Sequence, residues 1–384
     1  MEKTALALAC LLGMSGIAQA EFVYRTPAGM KVQASSDAGS DSGSEPELNL
    51  VGFSDVHCNT NDSCIAIKDG ELWITGQNRY SELGTGNTNP VWGWTNTNMP
   101  ASKIAMGNYH SMVISNGTLW VSGYNSNGQL GLGDYNQRYT FVDTGWQAKN
   151  ISAGGWHSML TLADDSLYMA GLGTNGRFGI TTASKNPNFL DVGIKATQMA
   201  GSTYSSYAIS NGNLFVAGTN TNGQLGLGDT DHRSAWVDTG LPASDVDGGQ
   251  QFAAIISNGV VYTTGSGDYG RLGLGHSDQV TTWTSTGFAA NDIDVGYSHI
   301  LALDSSGEIH SVGLGSNGQL GLDSTSSKNT FQATGQMASK VRAGRHTSYA
   351  LTSSGTSATG RNSFTQIDMS GATYKYEFTP VYTN

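Results

Sequence analysis

The sequence is poor in cysteine, in proline and in basic residues, and each shortage narrows the class of protein. It has 3 cysteines and 7 prolines in 384 residues, and its 19 lysines and arginines face 30 acidic residues. The net charge of −11, with no Lys/Arg run, lacks the basic face that nucleic-acid binding requires. Beyond the first 20 residues no apolar run approaches the roughly 20 residues that span a bilayer. Neither a nucleic-acid partner nor a membrane span is expected.

Residues 1–20, MEKTALALACLLGMSGIAQA, have the pattern of a secretory signal peptide. One early lysine precedes an apolar stretch, and the segment ends in the small-residue sequence Ala-Gln-Ala. Cleavage is expected after Ala20, and the mature chain is expected in the periplasm, at the cell surface or in the medium.

Export leaves two cysteines, Cys58 and Cys64, which are six positions apart. An even pair this close in an oxidising compartment predicts a local disulfide. A zinc site would need four ligands, and only His57 lies nearby at a suitable spacing. We therefore expect a disulfide that fixes the start of the folded domain, and we expect neither a metal nor a cofactor.

Residues 21–46 form an N-terminal arm that precedes the main domain, residues 47–384. The segment 21–32 is apolar enough for a strand, and the following QASSDAGSDSGSEPE has the composition of a flexible acidic linker. The arm either packs on the domain or docks on a partner, and the sequence does not choose between these.

The dominant pattern is a glycine-rich phrase that returns seven times at intervals of 47 or 48 residues. The clearest copy is GYNSNGQLGLG, from Gly123. The other copies begin at Gly76, Gly171, Gly218, Gly265, Gly313 and, in decayed form, Gly360. A fixed period of this length is the signature of a repeat architecture.

Each repeat has the pattern of a small antiparallel sheet. A glycine opens a short apolar strand, a tight turn such as Asn116-Gly117 follows, and a second apolar strand runs into the glycine-rich phrase. A less regular segment with an apolar patch, such as TFVDTG from Thr140, completes the unit. Seven such sheets predict an all-β, seven-bladed propeller in preference to a β-solenoid, whose coils are normally shorter. Two segments, LNLVGFSDV from Leu48 and SFTQIDMSGATYK from Ser363, are candidates to complete a blade begun at the other end of the chain.

The unit G-x-x-H-S-x-x-L, turn, L-x-x-x-G-x-N-x-x-G-Q-L-G-x-G resembles the repeat of the regulator of chromosome condensation family. The resemblance covers residues from about 50 to 370 and implies a seven-bladed propeller. It also implies a choice of functions: nucleotide exchange on a small GTPase, chromatin binding or, by similarity of fold to the propeller-type β-lactamase inhibitor proteins, binding of a protein through aromatic loops on one face. The signal peptide and the acidic charge oppose the first two.

The most conspicuous repeated residues are interpreted as scaffold. His110, His157, His299 and His346 lie 13 or 14 residues before their leading glycines, so we assign them one equivalent position that holds blades together. Tyr204 and Gln251 take that position in the intervening repeats, which argues against a metal-binding ring. The phrase has no following helix that would complete a phosphate site. No catalytic set stands apart from the repeats, so we predict a protein that is not an enzyme.

Candidate binding residues are those that do not repeat. The positions just before the histidine differ from repeat to repeat, and the propeller would gather them at one channel mouth. Aromatic and arginine side chains there match the composition of binding hot spots. The predicted protein-binding residues are Tyr109, Trp156, Gln250, Tyr297 and Arg345.

A second aromatic set lies in the irregular segments of the repeats. Trp236 and Trp283 take the place of Phe141 and are interpreted as core residues. Trp92 and Trp94, in VWGWTNTN, have no evident repeat equivalent and are candidates for stacking on sugar rings.

Three functions follow from the sequence. The leading hypothesis is an exported, non-enzymatic propeller that binds another protein through loops on one face. One alternative is an extracellular carbohydrate-binding or carbohydrate-active protein that uses exposed tryptophans. The other is the propeller head of an envelope or surface assembly, docked by its N-terminal arm.

Overall fold

The computed structural model describes residues 52–367 and 372–382, together with the backbone of two short strands nearer the N-terminus. The chain divides into two units, Met1–Glu47 and Leu48–Asn384. In the first unit β1 (Tyr24–Arg25) pairs antiparallel with β2 (Lys31–Val32). The strand predicted over residues 21–32 is therefore a short hairpin where it is described. The predicted signal peptide and acidic linker lie outside the described residues.

The second unit contains seven four-stranded antiparallel sheets, and each sheet is one sequence repeat. Within a sheet the strands lie in the order in which they follow along the chain. Blade 1 contains β3 (Asp55–Cys58), β4 (Cys64–Lys68), β5 (Glu71–Gly76) and β6 (Val91–Pro100), and blade 2 contains β7 (Lys103–Met106), β8 (His110–Ser115), β9 (Thr118–Gly123) and β10 (Arg138–Gln147). Blade 3 contains β11 (Asn150–Ala153), β12 (His157–Thr161), β13 (Ser166–Leu172) and β14 (Lys185–Lys195), and blade 4 contains β15 (Gln198–Gly201), β16 (Ser205–Ser210), β17 (Asn213–Gly218) and β18 (Arg233–Pro242). Blade 5 contains β19 (Asp245–Gly248), β20 (Phe252–Ser257), β21 (Val260–Gly265) and β22 (Val280–Ala289). Blade 6 contains β23 (Asp292–Val295), β24 (His299–Leu303), β25 (Glu308–Gly313) and β26 (Lys328–Met337). Blade 7 contains β27 (Lys340–Ala343), β28 (Thr347–Thr352), β29 (Gly355–Arg361) and β30 (Tyr374–Pro380).

The first strands of the seven blades form a closed ring. Each one contacts the first strand of the next blade, and β27 of blade 7 contacts β3 of blade 1. Helical structure in the described part of the chain is limited to two 3-10 turns, Thr174–Gly176 and Asp268–Gly270. The predicted seven-bladed propeller is confirmed.

The tight turns between strands have the backbone conformation that their Asn-Gly sequences predict. In the hairpin between β8 and β9, Asn116 and Gly117 both have positive φ, 50° and 82°, as this two-residue turn requires. The leading glycine is constrained more strongly: Gly123 has φ 110°, and a Cβ on it would lie 2.5 Å from the carbonyl oxygen of Tyr109. The repeated glycines therefore serve backbone geometry, as predicted.

Neighbouring blades interlock through one aromatic residue in each outer strand. The Phe141 ring of blade 2 packs so closely on Gly84 of blade 1 that a Cβ there would lie 2.3 Å from the ring. Trp236 and Trp283 pack in the same way on Gly179 and Gly226, which confirms their assignment to the core. The phrase is glycine-rich at this position because an aromatic ring of the next blade occupies the space.

The ring closes by packing of blade 7 on blade 1, since every blade is built from four consecutive strands. The outer strand of blade 7 is β30 (Tyr374–Pro380), so the candidate strand that the sequence suggests at residues 363–375 lies too early in the chain. Residues 362–367 form the loop that corresponds to the glycine-rich phrase, with the Ile367 amide donating to Asn362 Oδ1 at 2.8 Å. At the other end, residues 48–51 lie outside the described residues, and buried Phe53 donates its amide to Thr356 Oγ1 of blade 7 at 3.0 Å.

The predicted disulfide between Cys58 and Cys64 is present at this closing seam. It joins the last residue of β3 to the first residue of β4. The buried Tyr349 hydroxyl of blade 7 lies 3.6 Å from the Cys58 sulfur and 3.7 Å from the Cys64 sulfur. The cross-link therefore borders the interface at which the ring closes.

Candidate functional site

The loops between the first and second strands surround one mouth of the central channel, and we call them the mouth loops. Hydrogen bonds join several of them from blade to blade: the Asn108 amide donates to the Gly155 carbonyl at 3.3 Å, and the Gln250 amide donates to the Tyr297 carbonyl at 3.4 Å. The channel encloses a cavity of about 320 Å³, lined by residues from all seven blades. The mouth loops comprise residues 59–63, 107–109, 154–156, 202–204, 249–251, 296–298 and 344–346.

Four aromatic side chains meet beside this mouth, and we call them the aromatic cluster: Tyr80, Tyr109, Tyr124 and Trp156. The Tyr109 ring lies 4.6 Å from Tyr80 and 4.7 Å from Trp156 between centroids. Tyr124 lies 5.4 Å from Tyr80 and 6.1 Å from both other rings. All four are half-buried, so each presents part of its ring to solvent. The structure thus brings together two of the predicted residues, Tyr109 and Trp156.

Two further predicted residues form a separate pair. The Arg345 guanidinium lies 4.8 Å from the Tyr297 ring centroid, and its Nη1 donates to the Thr60 carbonyl at 2.7 Å. Burial raises the pKa of Tyr109, with Tyr80 adding to the shift and Arg345 opposing it. Gln250 contacts this pair through its backbone amide, which donates to the Tyr297 carbonyl.

Tyr80 and Tyr124 were not predicted. They lie in the glycine-rich phrases of blades 1 and 2, and the regularity of the phrase favoured a purely scaffolding interpretation of every residue in it. The available signal was that Tyr80 departs from the asparagine that four other copies carry at its position, and that the position of Tyr124 varies from copy to copy.

Trp92 and Trp94 have opposite environments. Trp94 is 4 % exposed, packs on Phe53 at 4.6 Å and donates its indole N–H to the Gln366 carbonyl at 3.0 Å. It occupies the same strand position as Phe141, so the apparent lack of a repeat equivalent does not hold for it. Trp92 is 54 % exposed and lies 5.3 Å from the Phe364 ring. A sugar-stacking role therefore depends on Trp92 alone.

Three of the four repeated histidines join neighbouring blades. His110, His157 and His299 are buried, and each ring Nε2 pairs with a serine hydroxyl of the next blade at 2.8–2.9 Å. Burial lowers the pKa of His110 and of His299 to about 3. These imidazoles are therefore neutral structural groups near pH 7, as the scaffold interpretation predicts.

His346 does not share this position, and the sequence assignment of it is wrong. Thr347 is the residue of blade 7 that pairs with the leading glycine, Gly360. The spacing misleads because the hairpins of blades 3 and 6 contain four turn residues, whereas that of blade 7 contains two. The residues that pair with the leading glycine are Ser205 in blade 4 and Phe252 in blade 5, and not Tyr204 and Gln251. His346 instead lies in a mouth loop, with Nδ1 3.2 Å from the Asn317 amide nitrogen.

The channel wall of blades 5 and 6 carries four carboxylates. Asp247 accepts the Val295 amide at 2.7 Å, and Asp294 accepts the Ala343 amide at 2.6 Å, so each binds the inner strand of the next blade. Two residues earlier in each strand, Asp245 accepts the Ile293 amide and Asp292 accepts the Val341 amide. Burial raises the pKa of Asp245 to about 6, while Arg342 of blade 7 donates to both Asp294 and Asp55. These groups link blades 5, 6, 7 and 1 around the channel.

One cluster among the described residues has the geometry of a metal site: Asp304, Glu308 and His310, in the hairpin of blade 6. The Asp304 carboxylate accepts the Ser306 and Glu308 amides at 2.8 and 3.0 Å and lies 3.1 Å from His310 Nε2. Hydrogen bonding within the turn explains this arrangement, and we assign no metal to it. No helix in the described part of the chain is long and apolar enough to cross a membrane.

Comparison with known proteins confirms the resemblance at the level of repeat and fold. A family model described as the regulator of chromosome condensation (RCC1) repeat matches residues 291–319. The fold is similar to human WBSCR16, at 20 % identity and a TM-score of 0.67, over 76 % of this chain and 84 % of that one. No curated protein matches the sequence.

The fold is also similar to that of yeast RCC1 (Prp20), solved with Kap60 bound. The identity is 15 % and the TM-score 0.72, over 92 % of this chain and 91 % of the yeast chain. A second structure, Prp20p from Saccharomyces cerevisiae, described with its binding to Gsp1p and histones, matches at 15 % identity and a TM-score of 0.70 over 87 % and 88 % of the two chains. The chain is thus a seven-bladed propeller of which residues 291–319 match the RCC1 repeat.

Proposed function

We propose that this chain is an exported, non-enzymatic propeller that binds another protein through the face formed by its mouth loops. The observation that carries the proposal is the aromatic cluster, in which four half-buried rings from blades 1, 2 and 3 form one continuous surface. Large aromatic side chains held in place before binding contribute most of the affinity at protein interfaces. That the similar yeast Prp20 fold binds proteins supports this use of the scaffold.

The chemistry of the face favours a protein over the other ligand classes. Tyrosine and tryptophan offer large apolar areas with a polar edge, and Arg345 adds a cation held by Tyr297 and Thr60. The net charge of −11 opposes binding to nucleic acid. The disulfide and the predicted signal peptide support an exported location, in which the partner would be an envelope, surface or extracellular protein.

The test uses the mature protein as bait in cross-linking capture from the native envelope or medium, followed by calorimetry with the purified partner. The double variant Tyr109→Ala/Trp156→Ala should weaken binding at least about 30-fold, because even one central aromatic hot spot contributes about 2 kcal/mol or more. The control is Tyr139→Ala, which removes an exposed tyrosine from outer strand β10. Equal affinity of the double variant and the native protein would refute the proposal.

A second candidate, carbohydrate binding, is favoured by the exposure of Trp92 beside Phe364. Trp92→Ala should then abolish signals on a glycan array while leaving the protein folded. Trp94→Ala is not a suitable probe of this function, because Trp94 is buried. An array without any signal for the native protein would remove this candidate.

A further inference from the structure

Arg177, in the glycine-rich loop of blade 3, is a buried cation with an incomplete set of partners. Its residue is 2 % exposed; Nε donates to the Thr174 carbonyl at 3.2 Å, and Nη2 donates to the Thr174 hydroxyl at 3.4 Å. Nη1 is buried and has no hydrogen-bond partner among the described residues. No carboxylate of the described chain forms an ion pair with Arg177. The guanidinium charge is thus uncompensated.

The equivalent residue in most other blades is a neutral glutamine, whose Nε2 in blades 2, 4 and 6 is also buried without a hydrogen-bond partner among the described residues. In blade 2, Gln129 accepts the Asn127 amide at 3.0 Å, and the corresponding glutamines of blades 4 and 6 do the same. Arginine cannot accept a hydrogen bond. In the two blades that carry arginine here, 3 and 5, the loop instead forms a 3-10 turn.

Blade 5 shows how this buried arginine is compensated within the chain. Arg271, also 2 % exposed, forms an ion pair at 2.9 Å with Asp268, whose side chain is 64 % exposed. Its Nη1 lies 3.5 Å from the Ser298 hydroxyl of the next blade. A carboxylate that approaches from solvent therefore reaches a guanidinium at this depth.

Blade 3 lacks both of these partners. When the two phrases are aligned, Thr174 occupies the position of Asp268. In the blade that follows, Tyr204 of blade 4 occupies the position of Ser298 of blade 6. Burial lowers the pKa of Arg177 to about 10, so the group stays charged near neutral pH. A buried charge without a partner destabilises the folded state, and a bound anion would remove that penalty.

We infer that Arg177 binds a carboxylate supplied by the protein partner, an Asp or Glu side chain that enters beside Thr174 as Asp268 does in blade 5. This inference rests on the proposed function and specifies the chemistry of the partner. The site adjoins the aromatic cluster, because Leu172, the last residue of β13 before this loop, donates its amide to the Trp156 carbonyl at 2.9 Å. The partner would thus present an acidic side chain next to an apolar patch.

The site can be tested without the partner by acetate titration of the mature protein, with chloride at equal ionic strength as reference. Acetate near 0.1 M should raise the melting temperature of the native protein by about 2 °C through preferential binding to the folded state. Arg177→Gln installs the residue of blades 2, 4 and 6, and Thr174→Asp installs the carboxylate of blade 5; neither variant should respond. Thr174→Asp alone should also melt at a higher temperature than the native protein. An equal response in all three proteins, or no response in the native protein, would overturn the inference.

Affinity for the purified partner separates this inference from the proposed function. Arg177→Gln and Thr174→Asp should each weaken binding at least about 10-fold. Arg138→Gln, which removes a cation paired with Asp134 away from the mouth loops, should not. If Trp156→Ala abolishes binding while Arg177→Gln does not, the carboxylate site is refuted and the binding face remains. If the aromatic variants bind normally, the face is refuted, and the acetate titration still decides whether Arg177 holds an anion.

Discussion

Replacing Trp94 with alanine is expected to destabilise the closed ring strongly, whereas the same change at Trp92, two residues earlier, is expected to have little effect. Trp94 lies in the seam between blades 7 and 1, where it packs on Phe53 and donates to the Gln366 carbonyl. Trp92 is more than half exposed, with Phe364 as its aromatic neighbour. The two residues share the strand β6 and differ mainly in burial.

The expected magnitude follows from the area that Trp94 buries. A buried tryptophan removes about 150–250 Å² from water, which corresponds to roughly 4–6 kcal/mol at about 25 cal/mol per Å². Partial collapse of the seam would reduce this value, so the loss in the free energy of unfolding for Trp94→Ala should be about 3–5 kcal/mol. Trp92→Ala should change it by less than about 0.5 kcal/mol.

A third variant separates packing from hydrogen bonding. Blades 2 and 6 have Phe141 and Phe331 at this strand position, so Trp94→Phe should preserve most of the packing. It removes the indole N–H and leaves the Gln366 carbonyl without this donor, which costs about 1 kcal/mol. The predicted order of stability is therefore Trp92→Ala, then Trp94→Phe, then Trp94→Ala.

Urea unfolding followed by far-UV circular dichroism measures these differences without relying on tryptophan emission. The slope of the transition should stay constant, so that midpoints report stability. If Trp94→Ala lies within about 1 kcal/mol of Trp92→Ala, the seam does not depend on this side chain. If Trp94→Phe is as unstable as Trp94→Ala, the hydrogen bond outweighs the packing, and the argument from buried area is wrong.

Three further predictions follow from the structure. Reducing the disulfide between Cys58 and Cys64 should lower the free energy of unfolding by about 2 kcal/mol, the loop-closure value for so short a loop, as measured by urea midpoints of the oxidised and reduced protein. Burial raises the pKa of Asp245 to about 6, so the ionised carboxylate destabilises the fold above that pH. At pH 7.5 Asp245→Asn should therefore be more stable than the native protein by about 1–3 kcal/mol. Melts recorded at different pH values should show this gain disappear as the pH falls from 6 towards 4. His110, His157 and His299 should remain neutral from pH 8 to pH 5, since burial lowers the pKa of each, and imidazole NMR shifts that titrate near pH 6.5 in the folded protein would contradict this.

The fold could be predicted from the sequence because its determinants are local and repeated seven times. Asn116-Gly117 specifies a hairpin by itself, and the 47-residue period shows that the same unit recurs. The contacts between blades could not be predicted as well, because they depend on register. One wrong inference about hairpin length moved the assigned position in blade 7 from Thr347 to His346. The same limit applies to Trp94, whose equivalence to Phe141 becomes visible only when the outer strands are aligned by their pairing.

The candidate site shows why the exceptions to the repeat carry more information than the repeat. At one position of the phrase, glutamine satisfies its own loop by accepting the amide of Asn127 in blade 2. Arginine cannot do so, and in blades 3 and 5 the loop changes shape, with Asn175 and Tyr269 moving to φ near 60°. Residues held in this left-handed region cost stability unless something compensates. Blade 5 compensates internally through Asp268, whereas blade 3 keeps the altered loop and the buried charge without a partner. A glutamine here would bring no buried charge, although its Nε2 is also unpartnered in blades 2, 4 and 6. We therefore attribute the arginine of blade 3 to an anionic group that arrives from outside the chain.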